Sequence, residues 1–148
     1  MATTIITPDE IRIFMIDKPE MNPLLAGVRF DDKMIDRACV NVIDAFNTML
    51  PPNGASYTVE NFPYRYLLLM GVTGYLLKGA AINEASNNFT YAVDGVQIND
   101  KDKAQIFITM GKEFWDEFKQ TAKDIKIAQN VASCFGTTYS EYSYNPQR

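Results

Sequence analysis

Histidine is absent from this 148-residue chain. Its absence excludes a Ser-His-Asp triad, a Cys-His nucleophile pair and a zinc ion held by imidazole. Cysteine is scarce, and Cys39 and Cys134 both fall within apolar helical patterns. We interpret the two thiols as small buried residues of a protein kept in a reducing compartment, with a disulfide as the alternative.

The chain also has no run of Lys or Arg, and its net charge is −4. A protein that grips nucleic acid needs clustered cations for the phosphates, so this balance argues against DNA binding. The charge balance is still compatible with an acidic surface past which DNA merely slides. The first residues lack the basic and apolar regions of a signal peptide, so we expect synthesis and retention in the cytosol.

The longest apolar run, residues 67–82, is too short and too rich in glycine for a membrane span, which needs roughly 20 apolar residues. A helix that is apolar on nearly all sides must be buried. We therefore predict a central helix. Gly71, Gly74 and Gly79 each cost about 1 kcal/mol there relative to Ala, which indicates close neighbours, either in the same chain or in another.

The remaining pattern predicts further helices and one hairpin. Thr7-Pro8-Asp9-Glu10 is a capping box that opens a short helix, and Asp31 or Asp32 caps a second helix that runs to about Leu50. We expect the central helix to start at Thr58 or Asn61, ahead of Pro63. Alternating residues on both sides of Asp94-Gly95 predict a short β-hairpin.

A long helix follows, capped by Asn99 or Asp100 and running to about Ala132. At 1.5 Å per residue it would be roughly 45–50 Å long, so one end is expected to project as a partner surface. Its predicted core stripe is Ala104, Phe107, Ile108, Phe114, Trp115, Phe118, Ala122, Ile125 and Ala128. The fold class is thus mainly α: a helical bundle with one short β-hairpin, a long C-terminal helix and an extended C-terminal tail. Residues 1–136 form a single helical domain, and residues 137–148 form an interaction tail.

No motif predicts a catalytic, cofactor or metal site. Asp94, Asn99, Asp100 and Asp102 are in the wrong order for an EF-hand loop, and a turn followed by a helix cap explains them. Met110-Gly111-Lys112 lacks the upstream glycine of a phosphate loop. Glu113 and Glu117 are interpreted as a solvated helix face rather than an acid–base pair. The chain is not expected to be an enzyme.

The tail carries the candidate partner contacts. Tyr139, Tyr142 and Tyr144 lie within six residues of one another, and tyrosine is enriched at interfaces because it joins apolar area to a hydrogen-bonding tip. Gly71 and Gly74 are added as candidate contacts of the central helix. For these glycines, packing within the chain is the alternative.

The order of elements resembles small virion proteins of tailed bacteriophages, of the head–tail connector (adaptor) type. The resemblance covers most of the chain and lies in pattern rather than in a diagnostic signature. The segments that carry it are TPDEIRIFMIDKPEMNPLL, DDKMIDRACVNVIDAFNTMLPP, FPYRYLLLMGVTGYLL, YAVDG before NDKDKAQIF, FWDEFKQTAKDIKIAQN and FGTTYSEYSY. The β-hairpin departs from the type, because adaptors show one only variably.

The resemblance implies a structural protein in the neck of a virion, made in the host bacterial cytoplasm. Copies, commonly twelve, would form a homo-oligomeric ring between the portal and the tail or neck proteins, with DNA passing through and no sequence-specific binding. It implies no cofactor and no membrane contact. By analogy, the tail tyrosines and the ends of the long helix would reach neighbouring subunits. The alternatives are a tail-completion or baseplate component and a small cytosolic binding module with a pocket beside the central helix.

Overall fold

The computed structural model describes residues 6–22, 27–86, 90–93, 96–99 and 101–135. Within these ranges the chain is mainly helical, as predicted. The helices are α1 (Pro8–Met15), α2 (Asp32–Thr48), α3 (Arg65–Ser86) and α4 (Lys101–Phe135), and the strands are β1 (Thr90–Val93) and β2 (Val96–Asn99). Residues 136–148 lie outside the described part, and with them the whole predicted tail, residues 137–148, and its three tyrosines.

Helix α1 begins with the predicted capping box. The Thr7 hydroxyl accepts from the Glu10 backbone N–H, and the Glu10 carboxylate accepts from the Thr7 N–H. The end of α1 is held by a contact that the sequence did not reveal. The buried carboxylate of Asp17 accepts hydrogen bonds from the backbone N–H groups of Arg29 and Phe30, which fixes residues 27–30 beside the helix.

Helix α2 is amphipathic, as its stripe predicts, and the side chain of Asp31 caps it. Its buried residues are Ile35, Ala38, Cys39, Val42, Ile43 and Phe46. The helix ends at Thr48, before the predicted limit at Leu50. The residue that precedes a proline is pushed away from helical backbone angles, and Leu50 precedes Pro51.

Cys39 and Cys134 are both free thiols. Cys39 is buried, as predicted. Cys134 is exposed, so the prediction of two buried cysteines is wrong for this residue. Residue 134 lies in the last turn of α4, where no other described helix covers it.

Burial makes Cys39 a source of pH-dependent stability. Loss of solvation on burial raises the pKa of its thiol from 9.0 to about 11. The thiol of the unfolded chain therefore ionises at a lower pH than the thiol of the folded chain. The stability that the buried neutral thiol contributes is complete below pH 9 and is lost as pH rises to about 11. We expect the wild type to lose about 2–3 kcal/mol relative to Cys39→Ala across that window, measured by urea unfolding at several pH values. Parallel pH profiles for the two proteins would contradict the assignment.

Helix α3 is the central helix, with eleven buried residues. It begins at Arg65, later than the predicted start at Thr58 or Asn61. The preceding residues form a loop instead, because its aromatic rings pack on α2. Phe46 of α2 meets the rings of Tyr57, Phe62 and Tyr64 at centroid distances of 5.1–6.1 Å, mostly edge to face, an arrangement that aromatic quadrupoles favour.

Helices α3 and α4 pack antiparallel along their length. Close approach depends on Gly74, where an added Cβ would lie 2.9 Å from the backbone nitrogen of Trp115 and 3.1 Å from the carbonyl oxygen of Gly111. At Gly71 an added Cβ would meet Val42 of α2 and Phe118 of α4. The expected close neighbours therefore belong to the same chain at both positions.

Thr73 carries the one buried side-chain polar atom of the described residues that has no hydrogen-bond partner. Its hydroxyl loses its hydration on folding without compensation. We expect Thr73→Val, which keeps the branched shape and removes the hydroxyl, to raise the free energy of unfolding by about 1 kcal/mol. Thr109→Val on exposed α4 is the control, since that hydroxyl donates to a backbone carbonyl and no gain is expected. A loss of stability in Thr73→Val would mean that the hydroxyl is hydrogen-bonded.

Helix α4 buries a lysine that no part of the sequence pattern marked. Lys126 is 0% exposed, and its ammonium donates to the carbonyls of Asn47 and Met49 at the end of α2 and lies 5.0 Å from the Phe46 ring centroid. Burial lowers the pKa of this lysine. The predicted core stripe of α4 is wrong at Ile108 and Ala128, both exposed. Ile108 lies beside Ala81 and Ile82 of α3 but borders an open groove there rather than the core.

Strands β1 and β2 pair antiparallel between α3 and α4, with Thr90 opposite Asn99 and Val93 opposite Val96. This register follows the alternation of the sequence. The connecting Asp94-Gly95 lies outside the described residues.

Candidate interaction surface

An uncovered apolar area follows one side of α3. At Gly71 this side is closed, because α2 and α4 meet over it through Val42 and Phe118. From Tyr75 onward it is open: Tyr75, Gly79 and Ile82 are exposed, and no atom of the described residues lies within 4 Å of a Cβ added at Gly79. We call the opening between α2 and α4, with α3 as its floor, the α3 cleft.

Two grooves make up the α3 cleft. On the α4 side, a groove of about 500 Å³ is lined by Lys78, Ala81, Ile82, Ala85, Ile108 and Lys112. On the α2 side, a groove of about 330 Å³ is lined by Asp31, Lys33, Met34, Arg37, Tyr75, Leu76 and Gly79. Ile82 is 69% exposed and Ile108 is 45% exposed, so both large side chains offer apolar area for a contact.

Cations border this apolar floor on both sides. Lys33 and Arg37 lie on the α2 edge, Lys78 and Lys112 lie on the α4 edge, and Asp31 is the acidic residue among them. Four of the chain's 14 basic residues and one of its 18 acidic residues thus surround the cleft. Elsewhere in the chain 17 acidic residues outnumber 10 basic ones, so the cleft concentrates positive charge in an acidic protein.

Lys78 shows the electrostatic effect of this arrangement. Burial of its stem, followed by the neighbouring charge of Lys119, lowers the pKa of its ammonium. The ammonium lies 4.8 Å from the centroid of the Trp115 ring. Within the described ranges, none of the four bordering cations forms an ion pair. Asp116 interacts electrostatically with Lys78 and Lys112 and partly offsets the charge of the α4 edge. The remaining positive charge suits a carboxylate from outside the chain.

The predicted contact residues fall elsewhere. Gly71 and Gly74 are buried against α2 and α4 of the same chain, which corrects their assignment to a partner surface: their Cβ directions are already filled. Gly79 was expected to have a close neighbour, and none of the described residues comes within 4 Å of a Cβ added there. Tyr139, Tyr142 and Tyr144 lie outside the described residues, so their contact role stays a prediction.

The sequence did not single out the α3 cleft. Nearly every residue of α3 is apolar, so no periodicity distinguishes its covered turns from its open ones. Gly79 was the signal for the cleft that the sequence offered, because glycine destabilises a helix interior there as it does at Gly71 and Gly74. Only the paths of α2 and α4 separate the three glycines.

The described side chains provide no arrangement typical of a metal site. No group of three or more Cys, Asp or Glu residues in the described ranges is placed to hold a metal ion. In the same ranges, no helix combines the length and the apolar character that crossing a bilayer requires.

Comparison with protein-family models, with curated proteins and with solved structures gave no match.

Proposed function

We propose that this protein is a structural component of a tailed-bacteriophage virion, of the head–tail connector type. In this role, copies form a ring between the portal and the tail, around the channel through which DNA passes. The observation that carries the proposal is the α3 cleft, an open apolar surface of Tyr75, Ile82 and Ile108 with Lys33, Arg37, Lys78 and Lys112 along its edges. Such a surface suits contacts between protein subunits.

The helical frame supports an assembly role for this surface. The 35 residues of α4 span about 50 Å at 1.5 Å per residue, and α3 packs against it with backbone contact at Gly74. A rigid pair of helices holds the exposed residues in a fixed geometry, which lowers the entropic cost of association. The net charge of −4 keeps tight binding of passing DNA unfavourable.

Light-scattering mass tests the proposal directly. The purified protein is measured alone and after mixing with the portal protein encoded near its gene. A discrete ring-sized species, or a portal peak that gains the mass of many copies, is the expected result. A monomer that leaves the portal peak unchanged would overturn the connector assignment, and stable association with tail proteins instead would favour a tail-completion or baseplate component.

The tail gives a second test. Truncation after Gly136 removes residues 137–148, which contain Tyr139, Tyr142 and Tyr144 but few aliphatic residues. We expect the melting temperature to stay unchanged and assembly to be impaired, because a polar–aromatic terminal segment adds little to a core but suits a partner. Loss of cooperative unfolding in the truncated chain would show that the tail belongs to the core.

A small-molecule binding module is the second candidate function, favoured by the groove of about 500 Å³ on the α4 side of the cleft. Its apolar lining and the ammonium groups of Lys78 and Lys112 suit an apolar carboxylic acid. A monomeric protein whose melting temperature rises with added decanoate would support this candidate. No shift in melting temperature would remove it.

A further inference from the structure

Helix α4 carries an exposed acidic stripe whose charge is opposite to that of the cations bordering the α3 cleft. Residues spaced alternately by four and three positions lie in one line along a helix. On α4 such a line consists of Ile106, Met110, Glu113, Glu117, Gln120, Asp124, Ile127 and Val131, all exposed. We call this line the α4 ridge.

The α4 ridge is apolar at both ends and acidic in the middle. Ile106, Met110, Ile127 and Val131 are each 42–54% exposed. Glu113, Glu117 and Asp124 lie between them, with no lysine or arginine in the line. The ridge is thus an amphipathic helical surface of negative charge.

The ridge and the cleft point in different directions. Gly111 and Phe118 of α4 face α3, and the ridge lies on the opposite side of α4, since Glu113 is two residues, or about 200° of helical rotation, from Gly111. The ridge of one chain therefore cannot fill its own cleft. Contact between the two surfaces requires a second copy, joined head to tail, and repeated head-to-tail contacts close into a ring or continue as a filament.

We propose that the α4 ridge of one copy docks in the α3 cleft of the next. At its N-terminal end the ridge supplies Ile106 and Met110, one helical turn apart and both exposed, as apolar contacts for the groove. The open side of Gly79 gives the docking helix room to approach the cleft floor. Glu113 and Glu117 then lie near the cationic edge. The inference rests on the proposed function, because it names the contact that would build the ring.

Charge reversal on each surface tests the pairing. The cleft variant is Arg37→Glu with Lys112→Glu, one cation from each edge, and the ridge variant is Glu113→Lys with Glu117→Lys; all four side chains are exposed. We expect each variant to lose the wild-type assembly and to elute as a monomer. The four substitutions together restore opposite charges across the contact, so the combined variant is expected to regain the wild-type mass.

Matched controls have the same change of charge at exposed residues outside both surfaces. These are Lys18→Glu with Lys123→Glu for the cleft variant, and Glu20→Lys with Glu60→Lys for the ridge variant. Both are expected to assemble as the wild type does. Circular dichroism melting curves confirm that every variant folds, and each mass is measured alone and with the portal protein.

The outcomes separate the two proposals. If the wild type assembles and the reversal variants assemble equally well, or if the combined variant stays monomeric while folded, the ridge–cleft pairing is overturned and the connector assignment stands. If the wild type is monomeric both alone and with the portal protein, both proposals fall. Loss of assembly in each reversal variant, together with recovery of the wild-type mass in the combined variant, supports the pairing.

Discussion

Gly74→Leu is expected to lower the free energy of unfolding by about 3 kcal/mol or more. The first atom of any side chain at this position would lie 2.9 Å from the Trp115 nitrogen and 3.1 Å from the Gly111 carbonyl oxygen. Both are backbone atoms of α4, which cannot move aside as a flexible side chain does. The two helices would have to separate, and the packing that surrounds Phe118 would be lost with them. Urea unfolding followed by circular dichroism measures the change.

Gly79→Leu is the matched control on the same helix. Within the described part of the chain no atom lies within 4 Å of a Cβ at Gly79, and leucine is favoured over glycine in a helix interior by up to about 1 kcal/mol. We therefore expect an unchanged or slightly higher stability, with assembly impaired because the leucine fills the floor of the α3 cleft. Equal losses of stability for Gly74→Leu and Gly79→Leu would contradict the described paths of α2 and α4.

Phe46→Ala is expected to cost about 3–5 kcal/mol. Phe46 is 0% exposed, and its ring contacts three aromatic rings of the loop between α2 and α3. The Lys126 ammonium also lies 5.0 Å from the ring centroid. Removing the ring leaves a cavity where α2, α4 and the loop meet. The measurement is the midpoint of urea denaturation followed by circular dichroism, which is expected to fall.

Phe14→Ala serves as the control for loss of an aromatic ring. Phe14 is only partly buried and meets Tyr66 and Phe114 at centroid distances of 6.5 and 6.1 Å. We expect a clearly smaller loss of stability, since less apolar area is removed from burial. If Phe14→Ala were the more damaging change, the centre of the core would lie nearer to α1 than described.

The sequence predicted the helices through short-range physics. The capping box at Thr7, the Asp31 cap and the stripe of α2 are set by hydrogen bonds and spacing within a few residues. The start of α3 was predicted wrongly because tertiary contacts decide it. The capping pattern ahead of Pro63 predicted a helix there, but Phe62 and Tyr64 pack their rings against each other and Phe46 instead. Lys126 was missed because its partners are backbone carbonyls 77 and 79 residues away in the sequence.

What the sequence by itself determined was the mainly helical class, the burial of α3, and the exclusion of histidine chemistry. Each follows from composition or local periodicity. What only the tertiary structure decided was which face of α3 stays open. Gly71, Gly74 and Gly79 are chemically identical, and their difference arises because α2 and α4 meet over the first and leave the third uncovered. Helix paths depend on contacts far apart in the chain, which no local pattern records.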